Sequence, residues 1–368
     1  MNKYIKVFDT HTEYEAYSGD DMIFPNVSYC KNDNDVHYNP LLSQSERYLT
    51  FVALEDGTFQ FSKNAVNYSL DNGNTWTELA ANTDSPTVTA GNKIMWKASL
   101  TPTTTGIGTF SSTAQFDVEG NPMSLLYGDD FKEKTDLTGK DYAFYRLFSD
   151  CTNVVSAKNM SLSATTLASS CYYCMFQGCT SLTTAPELPA TTLASSCYDN
   201  MFSGCTSLIT TPALPATTLA NYCYDYMFHN CKSLTTAPVL SATTLASSCY
   251  YGMFQGCTNL TTAPELPATT LASSCYSNMF RDCTSLTRAP ELPTTTLENG
   301  CYNSMFYGCT KLNYIKAMFT TTPSDTYTSY WVRSVASSGT FVKNSAATWD
   351  VTGTSGIPSG WTVETASA

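Results

Sequence analysis

Charge is scarce in this 368-residue chain. Lys, Arg, Asp and Glu make up only 14% of it, against about a quarter in ordinary globular proteins, so ion-pair networks are excluded as its main support. Basic residues are the scarcer sign, 19 against 31 acidic for a net charge of −12. With no run of Lys or Arg, nothing here would displace counterions from a phosphate backbone, and no nucleic acid is expected as a partner. Long apolar runs are missing too. No stretch approaches the roughly 18 apolar residues of a membrane-crossing helix, so no membrane insertion is expected. The opening MNKYIKVFDTHTEY lacks the apolar centre of a secretory signal, which points to synthesis and folding in a cytoplasm. Histidine occurs only at His11, His37 and His229. That leaves few members for a catalytic triad or a His-ligated metal, and no Gly-rich phosphate loop or Ca loop is present. The chain is read as no enzyme, with no catalytic residues, metal or cofactor.

What the chain does have is cysteine and repetition. Fourteen of its 15 cysteines lie between residues 151 and 309, and twelve of them recur at two fixed phases of a 26-residue unit. Six units begin at Ala164, Ala190, Ala216, Ala242, Ala268 and Thr294, each close to A-T-T-L-A-S-S-C-Y-x-x-M-F-x-G-C-T-S-L-T-T-A-P-E-L-P. Self-similarity at a fixed period signals stacked units that share one core. The cysteines therefore read as part of the repeat rather than as a disulfide framework.

Within a unit, Leu193, Cys197, Met201 and Cys205 fall at i, i+4, i+8 and i+12, beside Phe202 and followed by Leu208. This spacing predicts one face of an α-helix with those residues as the repeat core. The residue before the second cysteine (Gly178, Gly204, Asn230, Gly256, Asp282, Gly308) suits a left-handed helix end. Two cysteines eight helical residues apart would be separated by about 12 Å, too far for a bridge, so free thiols are expected. The Thr-rich stretch 207–214 reads as a short strand that proline closes, because proline has no N–H for the ladder. Six such strands stacked in parallel would make a rod about 25–30 Å long. The expected fold is an α+β repeat: an arm at 1–46, a β-sandwich-like domain at 47–128, a linker at 129–141, the solenoid at 142–316 and a β cap at 317–368. Short alternating runs between residues 49 and 118 and the Asp71-Asn72-Gly73-Asn74 turn support the sandwich. Ala143–Cys151 matches the helical half of a unit and would close one end of the stack. Trp331, Trp349 and Trp361 suit a cap on the other end, with a sugar-stacking platform as the alternative.

Met175–Leu182, M-F-Q-G-C-T-S-L, resembles the A-F-x-x-C-x-x-L core of the BspA-type leucine-rich repeats, and the likeness covers about 175 residues from Ala143. With the phrases FPNVSYC, VHYNP and GIPSGWTV, the chain is also similar to repeat proteins of gut anaerobes and of their phages. The resemblance implies a surface protein that binds host proteins or glycans and brings no catalytic residues.

Three chemical readings compete for particular residues. Cys171-Tyr172-Tyr173-Cys174 could present two thiolates to a metal, but only Cys174 departs from the repeat. Glu187, Glu265 and Glu291 share one phase and could support a polysaccharide-acting enzyme, against a merely solvated edge. The unit from Ala216 differs most from its siblings. Its Tyr222, Asp225, Tyr226, His229, Asn230 and Lys232 suit recognition of a glycan or protein, against neutral variation on a wet face. The leading reading is an adhesion or host-recognition protein displayed on a virion surface, or alternatively a bacterial cell surface. Residues 1–128 would contact other virion proteins. A passive spacer or decoration protein is the runner-up.

Overall fold

The structure, a computed structural model, describes residues 27–32, 35–40 and 44–366. Most of the expected arm at 1–46 lies outside the described residues; within it, β1 (Val27–Asn32) and β2 (Asp35–Pro40) pair antiparallel. The alternating runs that follow become β3 (Leu49–Ala53), β4 (Phe59–Phe61), β5 (Val66–Ser69), β6 (Thr77–Leu79), β7 (Lys93–Lys97), β8 (Phe110–Ser112) and β9 (Phe116–Gly120). One helical turn, α1 (Ser124–Tyr127), leads out of them. The strand of the first stacked unit is β10 (Val154–Met160), and those of the last coils are β11 (Tyr314–Ala317), β12 (Thr340–Lys343) and β13 (Thr362–Thr365). A second helical turn, α2 (Asp325–Thr328), precedes β12.

The first half forms a six-stranded sheet in the order β10-β9-β3-β7-β5-β6, against which the β4–β8 pair lies as a small second layer. Strict alternation puts every second side chain of β9 inward (Phe116, Val118), as period-two strands require. Phe51 meets Phe59, Phe110 and Phe116 at ring-centroid distances of 4.8–5.3 Å, which ties the two layers together. The predicted turn at Asp71–Asn74 does join β5 to β6, with Asn72 and Gly73 at φ of 59° and 88°.

The segment 129–141, expected as a linker, is packed into the fold. Phe131 and Leu137 within it are fully buried, β9 pairs in parallel with β10, and Phe110 stacks on Phe148 at 5.7 Å. Sheet and solenoid share one core. The polar residues of the segment face outward and hide two anchoring apolar ones.

The helix predicted in each unit is absent. Among the described residues, α-helix is confined to α1 and α2. Instead, the chain from Ala168 to Cys179 is a ribbon of successive tight turns. Cys171, Tyr173, Met175, Gln177 and Cys179 donate N–H to the carbonyl three residues back, while Ser170, Tyr172, Cys174, Phe176 and Gly178 donate to carbonyls of the next unit. Every fourth residue is left-handed: Ser170, Cys174 and Gly178 have φ of 53°, 54° and 73°, and the same three slots recur in the following units. The physical reason lies in the period. On an α-helix, positions four apart drift by about 40° each, about 120° over Leu193 to Cys205, whereas a turn ribbon of period four keeps them in line. The left-handed residue before the second cysteine is therefore the last of three in each ribbon rather than a helix end.

The ribbons stack in register. Phe176, Phe202, Phe228, Phe254, Phe280 and Phe306 form a column with centroids 5.7–5.8 Å apart and rings within 9° of parallel. A parallel tyrosine column runs from Tyr172 to Tyr302. Cys197, Met201, Phe202, Cys205 and Leu208 are fully buried, and Leu193 is half-buried. The strands expected between ribbons are mostly single parallel bridges, such as Thr184↔Thr210 and Leu214↔Leu240, because the flanking prolines cannot donate to a longer ladder.

At the end of the repeats the chain does not turn into a separate cap. Tyr302, Ser304, Phe306 and Gly308 donate to the carbonyls of Tyr327, Ser329, Trp331 and Arg333, so another ribbon follows, and β11, β12 and β13 continue the parallel stack. Counting from Phe148 to Trp331 gives eight rungs and a stack of about 34 Å at about 4.8 Å per step. Trp331, Trp349 and Trp361 are buried, and their indole N–H groups donate to the carbonyls of Gly356, Phe319 and Ala336. They close the apolar end of the stack and offer no open sugar platform.

Because half the ribbon N–H groups bond to the next rung, removing one whole coil should preserve the fold and removing half of one should not. Deleting residues 216–241 is expected to leave a cooperative thermal transition by circular dichroism. Deleting 216–228 is expected to abolish it.

Candidate functional site

Side chains alternate in pairs along each ribbon, two inward and two outward, so the outer pairs of successive rungs form columns 26 residues apart. The unit from Ala216 places Tyr222, Asp225, Tyr226, His229 and Asn230 on this outer face, between the buried pairs Cys223–Tyr224 and Met227–Phe228. Lys232 lies past Cys231, where the chain leaves the ribbon; it is exposed, and no hydrogen bond or ion pair joins it to the others.

Tyr222, Tyr226 and Asn230 occupy the three left-handed slots of this rung, with φ of 57°, 49° and 58°. Most siblings fill those slots with Ser, Asn or Gly. A bulky residue there costs about 1–2 kcal/mol, so two tyrosines at such slots mark a departure from what the backbone prefers. The neighbouring rung makes room: Tyr226 lies over Gly252, where a Cβ would come within 2.4 Å of the ring. Tyr226 also packs edge-on against His229 and Tyr251, at 5.2 and 5.3 Å.

Burial sets the protonation states here. Desolvation lowers the pKa of His229, which fits a neutral ring whose Nε2 accepts from Asn230 Nδ2 at 2.9 Å while Nδ1–H donates to Ser203 Oγ at 3.2 Å. Desolvation and the adjacent Asp199 push Asp225 up to about 8, and desolvation pushes Asp199 up to about 6. Asn200 donates to Asp199 at 2.7 Å, whereas Asp225 Oδ1 and the Gln255 Oε1 on a neighbouring rung are buried acceptors with no donor. An acceptor left so costs about 1–3 kcal/mol.

Asp199, Ser203, Tyr251 and Gln255 belong to this face but were not picked out from sequence. The signal was there, since each lies 26 residues from a chosen or neighbouring position. Exposed Glu187, Glu265 and Glu291 lie in the proline-rich segments instead, separate from the ribbon. Cys171 is fully buried in the core column, and among the described residues no group of three or more His, Cys, Asp or Glu side chains converges as a metal site would. The thiols have a structural use: Cys205, Cys231, Cys257 and Cys283 donate S–H to the carbonyl of the phenylalanine 29 residues earlier, at 3.1–3.2 Å. Burial raises the second-column thiols, Cys257 to about 12. Among the described residues no helix is long and apolar enough to cross a membrane.

Two outcomes follow from these protonation states. Asp225 titrates higher in the fold than in the unfolded chain, so its contribution to stability is whole below about pH 4 and is lost as pH rises through about 8. Denaturant midpoints should fall between pH 5 and 9, and Asp225→Asn should remove about 1–2 kcal/mol of that fall once partial exposure is allowed for. The thiols from Cys151 to Cys309 should react with Ellman's reagent at neutral pH only after unfolding, since the buried groups are held as thiols.

A family model described as the BspA type Leucine rich repeat region matches in six copies, over residues 142–261 and 247–335. No curated protein and no solved structure matches the chain. The match spans more than half of the sequence and coincides with the stacked ribbons. The chain belongs to the BspA-type leucine-rich repeat family, a repeat architecture suited to surface and protein–protein interaction.

Proposed function

We propose that this chain is a non-enzymatic recognition protein displayed on a virion surface, or on a bacterial cell surface, that binds a glycan or protein through the outer ribbon face around Asp225 and Tyr226. The observation that carries the proposal is the pairing of a strained aromatic with unsatisfied acceptors. Tyr226 sits left-handed over Gly252, and Asp225 Oδ1 and Gln255 Oε1 are buried without donors. A rung that gives up backbone comfort and hydrogen bonds at one face is one shaped for a partner. Rotation of the Asp225 and Gln255 side chains would turn these acceptors toward hydroxyl or amide donors of a ligand, while its apolar edge packs on Tyr226 and Tyr251. The sheet at residues 49–120 would join the protein to its neighbours on the particle.

A glycan array combined with a pull-down on intact bacterial cells tests this. The expected result is one saturable partner whose affinity falls at least tenfold in Tyr226→Asn, although that variant gains about 1 kcal/mol of stability by relieving the left-handed tyrosine. A passive spacer would give no saturable partner. Turnover on a polysaccharide panel that vanishes on a single Glu or Asp replacement would sink the non-enzymatic reading.

A further inference from the structure

A second surface lies on the proline side of the stack, away from the ribbon face. The residue before the buried leucine of each unit is exposed, and along the stack these residues run Glu187, Ala213, Val239, Glu265, Glu291. Leu214↔Leu240 pairing holds Ala213 and Val239 side by side on adjacent rungs. Two neighbouring rungs are thus apolar where the others are acidic. Ile209 stands where sibling rungs have Thr183, Thr235, Thr261 and Thr287, and Val239 is 79% exposed. Between these rungs is a groove of about 370 Å³ lined by Pro212, Ala213, Leu214, Pro215, Pro238 and Val239.

Acid flanks the groove on both sides. Lys316 neutralises Glu291 at 2.9 Å, while among the described residues no cation pairs with Glu187 or Glu265. At about 4.8 Å per rung, each of these carboxylates lies about 7 Å along the stack from the groove centre. In an extended peptide, residues i and i±2 point the same way and are about 6.7 Å apart. We propose that the groove binds an extended segment of a partner protein with the pattern basic–x–apolar–x–basic, laid along the solenoid axis. Its central aliphatic side chain fills the groove between Pro212 and Val239, and its two cationic side chains reach Glu187 and Glu265. The net charge of −12 favours the approach of such a segment.

The test uses the full chain and a fluorescein-labelled peptide with a Lys-Ser-Leu-Ser-Lys core, followed by fluorescence anisotropy. Saturable binding is expected, weakened about tenfold by Val239→Gln and about threefold by Glu187→Gln or Glu265→Gln. Val239→Gln is the neutral counterpart of the Glu that sibling rungs carry in this slot, so loss of folding is not at issue. Raised salt should weaken binding, and a peptide with Ser for its Leu should lose it. Tyr226→Asn should leave it unchanged, which separates this surface from the ribbon face. Absence of saturable binding, indifference to Val239→Gln, or equal binding of a peptide with Ser in place of both Lys would each overturn the proposal.

Discussion

A left-handed residue at every fourth position governs this protein, because it decides where backbone hydrogen bonds go. In an α-helix each N–H would be satisfied within its own segment. Here the turn at Ser170, Cys174 and Gly178 directs alternate N–H groups outward along the stack, so that Tyr172 and Phe176 bond to Cys197 and Met201 of the next unit. No ribbon is complete without its neighbour. The same constraint aligns the side chains four apart, which is why the aromatic column can run through eight rungs and the methionine column through the six repeat units, kept in register by their 26-residue spacing.

The columns explain the odd composition. A buried ring in each rung packs on its copies above and below, an arrangement worth about 0.5–1.5 kcal/mol per pair beyond area burial. The second cysteine column fills a small slot and also supplies a weak second donor to a carbonyl that already accepts a turn N–H, as Cys205 does for Phe176. With backbone bonds and ring columns holding the rungs together, charge is not needed inside, and the acidic residues are free to set the character of the outer faces.

Those faces differ because a solenoid separates them. The ribbon side is studded with tyrosines and carries a buried carboxylate at Asp199 and a half-buried one at Asp225, while the proline side offers shallow grooves between rungs, two of them edged by glutamates or aliphatic residues. Departures from the repeat cluster on the rungs of Ala190 and Ala216 on both sides. Core slots on these rungs keep their consensus residues, so the departures cost little in packing and change only what the surface presents.

Much of this was legible in the residues. The unit boundaries, the core members Cys197, Met201, Phe202, Cys205 and Leu208, the structural use of the cysteines and the family resemblance all follow from a period that one chain repeats six times. The misreadings share one cause. Positions i, i+4, i+8 and i+12 fit both a helix and a period-four ribbon, and only the bonds between rungs, which join residues 25 to 28 apart, separate the two. For the same reason residues 129–141 read as a linker, although Phe131 and Leu137 enter a core built by distant strands. The candidate face was half visible: Tyr222, Asp225 and Tyr226 stand out by comparison with sibling units, but Asp199, Tyr251 and Gln255 join them only through stacking. The sequence by itself determined the period, the inward columns and the supply of residues able to turn left-handed. Tertiary structure alone decided that the ribbons bond to one another rather than to themselves, because that choice is made by neighbours that local sequence does not contain.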